Sequence, residues 1–234
     1  VVTDLDAVRL SGEGFSSHAG WSVELADVTG DGVDDAMVSA PWLDRGGSGG
    51  VGGVYVVHGP IVGDQSLADA DALHYGLAAA YQLGELLSVV GDVNGDGTPD
   101  LWAARHDGLQ SWALSGSTIG EWRVTSSAIV SFVHDEAGNL IGAEPGDVDG
   151  DGWNDVVFGQ RDTVTVLRTP MSGTVSVWDE AWSMVAPEGH DKYVNVDFVG
   201  VGDVDLDGLA DVLVSDLKYD EADGRVWLVL GSSL

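Results

Sequence analysis

Cysteine is absent from the 234 residues, which excludes disulfide bridges and thiolate metal sites. Basic residues are nearly as scarce: Lys192 and Lys218 are the only lysines, and nine basic residues face 39 acidic ones. The resulting net charge of −30 repels nucleic-acid phosphates and anionic membrane surfaces, so neither is an expected partner. No apolar run reaches 18 residues, so no membrane-spanning helix is expected. Val1–Asp6 carries no initiator methionine and no basic stretch, and does not read as a signal peptide. Walker-type phosphate-binding and His-Glu-x-x-His motifs are missing, the glycine run 46–53 matches Gly-x-Ser-x-Gly and Gly-x-Gly-x-x-Gly only as spacing because a strand pattern and not a helix follows it, and His18, His58, His74, His106, His134 and His190 share no ligand spacing. The chain is therefore expected not to be an enzyme.

What is present is an internal repeat. One nine-residue acidic segment occurs four times, beginning at Asp27, Asp92, Asp147 and Asp203. Positions 1, 5 and 9 are aspartate in every copy: Asp27, Asp31 and Asp35; Asp92, Asp96 and Asp100; Asp147, Asp151 and Asp155; Asp203, Asp207 and Asp211. Position 3 always bears a side-chain oxygen, as Thr29, Asn94, Asp149 and Asp205. Position 6 is always glycine, which permits a sharp positive-φ turn. Position 7, occupied by Val33, Thr98, Trp153 and Leu209, offers in common only a backbone carbonyl.

Alternating oxygen donors folded around a glycine turn form the ligand pattern of a hard cation that takes six or more oxygens. Two carboxylates about 4 Å apart repel by roughly 4 kcal/mol at an effective dielectric near 20, and a divalent ion reverses that sign. Calcium suits such an irregular cage better than magnesium, which demands octahedral geometry and retains water. About four calcium ions are thus expected. The EF-hand or dockerin loop starts alike but needs an acid at position 12, where this chain has Val38, Ala103, Phe158 and Val214.

Short apolar runs surround each acidic segment. Trp21–Ala26, Leu86–Val90, Leu140–Ala143 and Val194–Val201 precede the four copies. Ala36–Ser39, Leu101–Ala104, Val156–Phe158 and Val212–Ser215 follow them, and Gly53–Val57, Leu109–Leu114, Val164–Leu167 and Arg225–Leu230 come next. Ala7–Leu10, Ala72–Tyr75, Glu121–Val124 and Trp178–Val185 supply a fourth strand per unit. All are too short for helices. Four-stranded units repeated at 55 to 65 residues predict an all-β fold, a β-propeller of four four-stranded blades, with part of a seven- or eight-bladed propeller as the alternative. Residues 1–234 form one repeat domain with blades at about 11–75, 76–124, 125–185 and 186–234, and residues 1–10 completing the last blade. Self-association is expected if that ring is incomplete. The segment 41–52 reads as a flexible exposed loop, with Trp42 a candidate sugar-stacking residue among the nine tryptophans.

Gly20–Asp27 through Asp35–Pro41, with Gly53–Val57 behind it, resembles the FG-GAP repeat of integrin α-subunit propellers and their bacterial relatives. Ser39-Ala40-Pro41 stands where that family has Gly-Ala-Pro; the other three units keep only the acidic loop. The resemblance implies calcium between the first and second strands of each blade and an extracellular or cell-surface setting. It also implies a role in binding or adhesion to a protein or glycan. A non-catalytic scaffold or substrate-binding domain of a polysaccharide-processing enzyme is the alternative function.

Overall fold

The computed structural model describes residues 7–47, 49–105, 107–134, 140–160, 163–185, 196–216 and 224–234. Valine-rich runs cut short by glycine and aspartate give strands of two to seven residues, and the fold is all-β. Its main sheets follow one another along the chain. The first places β2 (Val23–Ala26), β3 (Asp35–Ala40), β4 (Gly53–Val57) and β6 (Ala72–Tyr75) side by side. The second does the same with β7 (Leu86–Val89), β8 (Asp100–Ala104), β9 (Gln110–Ser115) and β11 (Ala128–Val133). The third has β12 (Leu140–Gly146), β13 (Asp155–Gln160), β14 (Val164–Leu167) and β16 (Ser183–Val185). Among the described residues three strands make the fourth: β17 (Val196–Gly202), β18 (Asp211–Asp216) and β19 (Arg225–Val229).

The period-2 alternation of the second strands stacks these sheets like propeller blades. Met37 of β3 points toward the second sheet, whereas Val38 and Ala40 point the other way, onto Leu43, Leu67 and Leu73. Leu101 and Ala103 of β8 meet the first sheet, and Trp102 and Ala104 meet the third. Val156 and Phe158 of β13 face back to the second sheet, and Val157 faces forward to Val212 and Val214 of β18. Each valine, leucine, methionine or phenylalanine so buried contributes about 1.5–3 kcal/mol. The innermost strands β2, β7, β12 and β17 pack successively in that order.

Three strands depart from the expected tiling. β10 (Gly120–Arg123), read as the end of the second unit, pairs in parallel with β6 at the outer edge of the first sheet. The helical turn Val124–Ser127, anchored by fully buried Val124, then brings the chain back as β11, so the fourth strand of the second sheet comes from the segment assigned to the third unit. β15 (Gly173–Ser176) pairs in parallel with β11 as a further outer strand.

The expected completion of the last blade by residues 1–10 is also corrected where the chain is described. Leu10 and Ser11, strand β1, pair in parallel with Gln65 and Ser66, strand β5, while residues 1–6 lie outside the described residues. Leu10 instead covers the outer face of the first sheet with Ala19 and Ile61. On the far face of the fourth sheet Leu213, Val226 and Leu228 stay 46%, 59% and 48% exposed, and among the described residues no apolar cluster joins that sheet to the first.

Apart from Ser48, which lies outside the described residues, the segment 41–52 is anchored at both ends by buried residues while Asp44, Gly46, Gly47 and Gly49 are exposed. Leu43 and Val51 are buried, Asp44 accepts the Gly50 N–H at 2.7 Å, and Arg45 pairs with Glu13 and Glu121. Trp42 packs between His18 and Trp21, tilted against the first and edge-on to the second, with ring centroids 4.7 and 4.9 Å away. Trp102 and Trp112 are core residues, as are His74 and His134.

Candidate metal-binding loops

Each acidic segment joins the first and second strands of its sheet. Within it the backbone wraps around the first aspartate. The position-4 N–H donates to Oδ1 of Asp27, Asp92, Asp147 and Asp203 at 2.6–2.8 Å. The position-6 glycine N–H donates to the other oxygen at 2.7–3.1 Å. The position-7 N–H donates to the fifth-position carboxylates of Asp31, Asp96, Asp151 and Asp207 at 2.8–3.0 Å. Asn94, Asp149 and Asp205 at position 3 each accept the position-5 N–H, whereas Thr29 turns its hydroxyl to Asp27 at 3.5 Å.

Position 9 plays a different part. Asp35, Asp100, Asp155 and Asp211 are 0–1% exposed, and each accepts the position-2 N–H of Val28, Val93, Val148 or Val204 at 2.7–3.1 Å. Their second oxygens accept the N–H of Gly59, Thr169 and Gly231 in the first, third and fourth sheets. In the second sheet this oxygen, Oδ1 of Asp100, is buried without a hydrogen-bond partner. Burial pushes the Asp100 carboxyl up to about 7, with repulsion from Asp96 and Asp92 adding to it. Burial likewise moves Asp155 up to about 6. Asp211 is lowered by the N–H groups of Val204 and Gly231. Asp27 is lowered chiefly by the Gly32 N–H, and Asp96 by the Thr98 hydroxyl.

The donor set fits a divalent cation. Asp147, Asp149 and Asp151 each bring a carboxylate oxygen within 4.8 Å of the others, and so do Asp203, Asp205 and Asp211. Two oxygens on one calcium ion lie no further apart than twice the bond length, about 4.8 Å. Oδ1 of Asp27 and of Asp92 accept two or more hydrogen bonds, but the second oxygen of each accepts only one, from Gly32 and Gly97, and so keeps a lone pair for metal. The orphaned Asp100 oxygen is a donor position still in need of a partner. At position 7 no side-chain oxygen recurs, so the carbonyls of Val33, Thr98, Trp153 and Leu209 remain the atoms the sequence assigns there.

Position 4 is glycine in three copies and Leu206 in the fourth. Gly30, Gly95 and Gly150 have φ of 77, 79 and 77°. A Cβ there would meet position 7 of the next loop: Thr98 at 2.9 Å from Gly30, Trp153 at 3.8 Å from Gly95, and Leu209 at 2.7 Å from Gly150. Handedness favours glycine at all three, and close approach to the next loop adds to it at Gly30 and Gly150. Leu206 in the fourth loop has φ of 64° and is 87% exposed.

Acidic loops between the first two strands of stacked, propeller-like sheets define a repeat class, and comparison with known proteins agrees. The FG-GAP-like repeat matches residues 92–158 and again 147–214. Together these cover over half of the chain, which belongs to the FG-GAP-like repeat family. Integrin alpha-7 of Homo sapiens is 30% identical over 176 residues, 69% of this chain and 14% of that protein. Integrin alpha-PS5 of Drosophila melanogaster is 28% identical over 172 residues, 63% of this chain and 15% of its own length. A phosphatidylinositol-glycan-specific phospholipase D of Rattus norvegicus is 26% identical over 166 residues, 61% of this chain and 18% of the relative. The chain therefore corresponds to under a fifth of the length of these relatives. Among the described residues, no helix is long and apolar enough to cross a membrane.

Proposed function

We propose that the chain is a calcium-binding, non-catalytic adhesion module of extracellular or cell-surface setting that binds a protein or glycan partner. The observation that carries the calcium reading is the fourfold loop geometry, in which one set of backbone N–H groups orients the same aspartates in each sheet. The first site would use Asp27, Thr29, Asp31, Asp35 and the Val33 carbonyl, the second Asp92, Asn94, Asp96, Asp100 and the Thr98 carbonyl. The third would use Asp147, Asp149, Asp151, Asp155 and the Trp153 carbonyl, the fourth Asp203, Asp205, Asp207, Asp211 and the Leu209 carbonyl. When bound, the ion supplies positive charge that offsets carboxylate repulsion; the chain's own residues hold the loop shape that presents the oxygens. Similarity to integrin α chains supports the adhesion role.

A second reading, a non-catalytic scaffold within a larger enzyme, draws support from the similarity to the phospholipase D proteins. The calcium reading is tested by thermal unfolding with calcium and with chelator. At free calcium 100-fold above Kd each site contributes about 2.7 kcal/mol, so the transition moves well upward. Coincident curves contradict a structural ion. Calcium-dependent capture of a surface protein or glycan by the immobilised chain tests the binding role, and retention by neither class of molecule contradicts it.

A further inference from the structure

The third and fourth loops carry the same acids, aspartate at positions 1, 3, 5 and 9, yet they differ in one neighbour. Arg168 follows directly on β14 and places Nη1 2.9 Å from Oδ2 of Asp149, the position-3 aspartate. The Asp149 side chain is only 9% exposed, whereas that of Arg168 is 51% exposed. The Arg168 guanidinium carbon also lies 5.0 Å from the ring centroid of Trp182, which offers it a second resting place. The strand registers Ala36↔Val57, Leu101↔Leu114, Val156↔Leu167 and Val212↔Val229 make His58, Ser115, Arg168 and Leu230 equivalent. Only the third sheet has a cation there, and among the described residues no other loop aspartate forms an ion pair.

We infer that Arg168 is a tethered counter-cation that sets the metal affinity of the third loop. It neutralises Asp149 when no ion is bound, and a divalent ion must compete with it for the same carboxylate. On displacement the guanidinium keeps its contact with the Trp182 face. The third loop consequently binds calcium more weakly than the fourth despite identical acids. This rests on the calcium reading above and adds to it a device specific to one loop.

The test is a calcium titration of the whole chain in an Asp96→Ala background, followed by tryptophan fluorescence with Trp153 at position 7 as the reporter of the third loop; Asp96→Ala silences the second loop, where Gly95 also lies against the Trp153 ring. The Trp153→Phe variant identifies that component of the signal. Arg168→Gln is expected to lower the Trp153-reported midpoint about fivefold, the upper end for a partly exposed ion pair. Arg168→Lys keeps the charge and stays within about twofold of the parent. Circular dichroism of both variants establishes folding. An unchanged midpoint in Arg168→Gln, with calcium still binding to the chain, overturns the role of Arg168 alone. Absence of any calcium response in parent and variants overturns the calcium reading itself.

Discussion

The second and fourth loops are one sequence device in two settings. The second is enclosed: Gly95 lies against Pro170 and Trp153, and Asp100 is wholly buried with an unpartnered oxygen. The fourth stands at the last described sheet. Leu206 replaces the glycine and is exposed, and both Asp211 oxygens accept backbone N–H groups. The ninth aspartate is consequently raised in one loop and lowered in the other. Ligand identity alone does not set what a loop does; burial and the number of backbone N–H partners decide the charge at position 9.

The largest effect comes from exchanging the position-4 residues. Gly95→Leu forces a branched side chain into positive φ and against Pro170, costing about 3 kcal/mol in denaturant unfolding. A cost as small as that of an exposed substitution contradicts the approach of Gly95 to Pro170.

Asp100→Asn separates the two loops by pH. In the metal-free chain the folded Asp100 keeps its proton up to about pH 7, while the unfolded carboxyl loses it near pH 3.9. The folded state therefore binds more protons across that window, and this contribution to stability falls as pH rises from about 4 to 7. Parent stability measured relative to Asp100→Asn should decline across the window. Asp211, with its carboxyl lowered, behaves oppositely: its contribution is present above the unfolded value and is lost as pH falls. A pH-independent difference for Asp100→Asn removes the basis of the contrast.

The smallest effect is Leu206→Gly, which relieves left-handed strain at an exposed site and stabilises by about 0.5–1 kcal/mol. A loss of stability would mean that Leu206 packs against something in solution.

Much of this architecture is legible in the residues. Gly53–Val57, Ala72–Tyr75 and Val164–Leu167 fall where the apolar pattern puts them, and the acidic loops sit between first and second strands. Local pattern suffices there because turn chemistry and period-2 alternation agree. Non-local choices were not legible. Nothing in Glu121–Arg123 announces parallel pairing with Leu73–Tyr75, and nothing in Leu10 announces Gln65 as partner rather than β19. In the loops, the oxygen-bearing side chains at positions 1, 3 and 5 are readable from their alternation. The buried, backbone-binding role of position 9 and the pressing of Gly30 and Gly150 against the next loop need the third dimension. Arg168 is 13 residues beyond its loop and carries no motif.

Calcium stoichiometry by isothermal titration, on the parent and on Asp96→Ala, tests the central claim most directly. Asp96 carries a charge of the second loop and accepts the Thr98 N–H, so its removal takes both a ligand and the loop's fifth-position anchor. The account predicts four ions per chain in the parent and three in the variant, with affinities in the roughly 10⁻⁴–10⁻³ M range of extracellular calcium modules. One ion or none in the parent, or an unchanged count in Asp96→Ala, would contradict it.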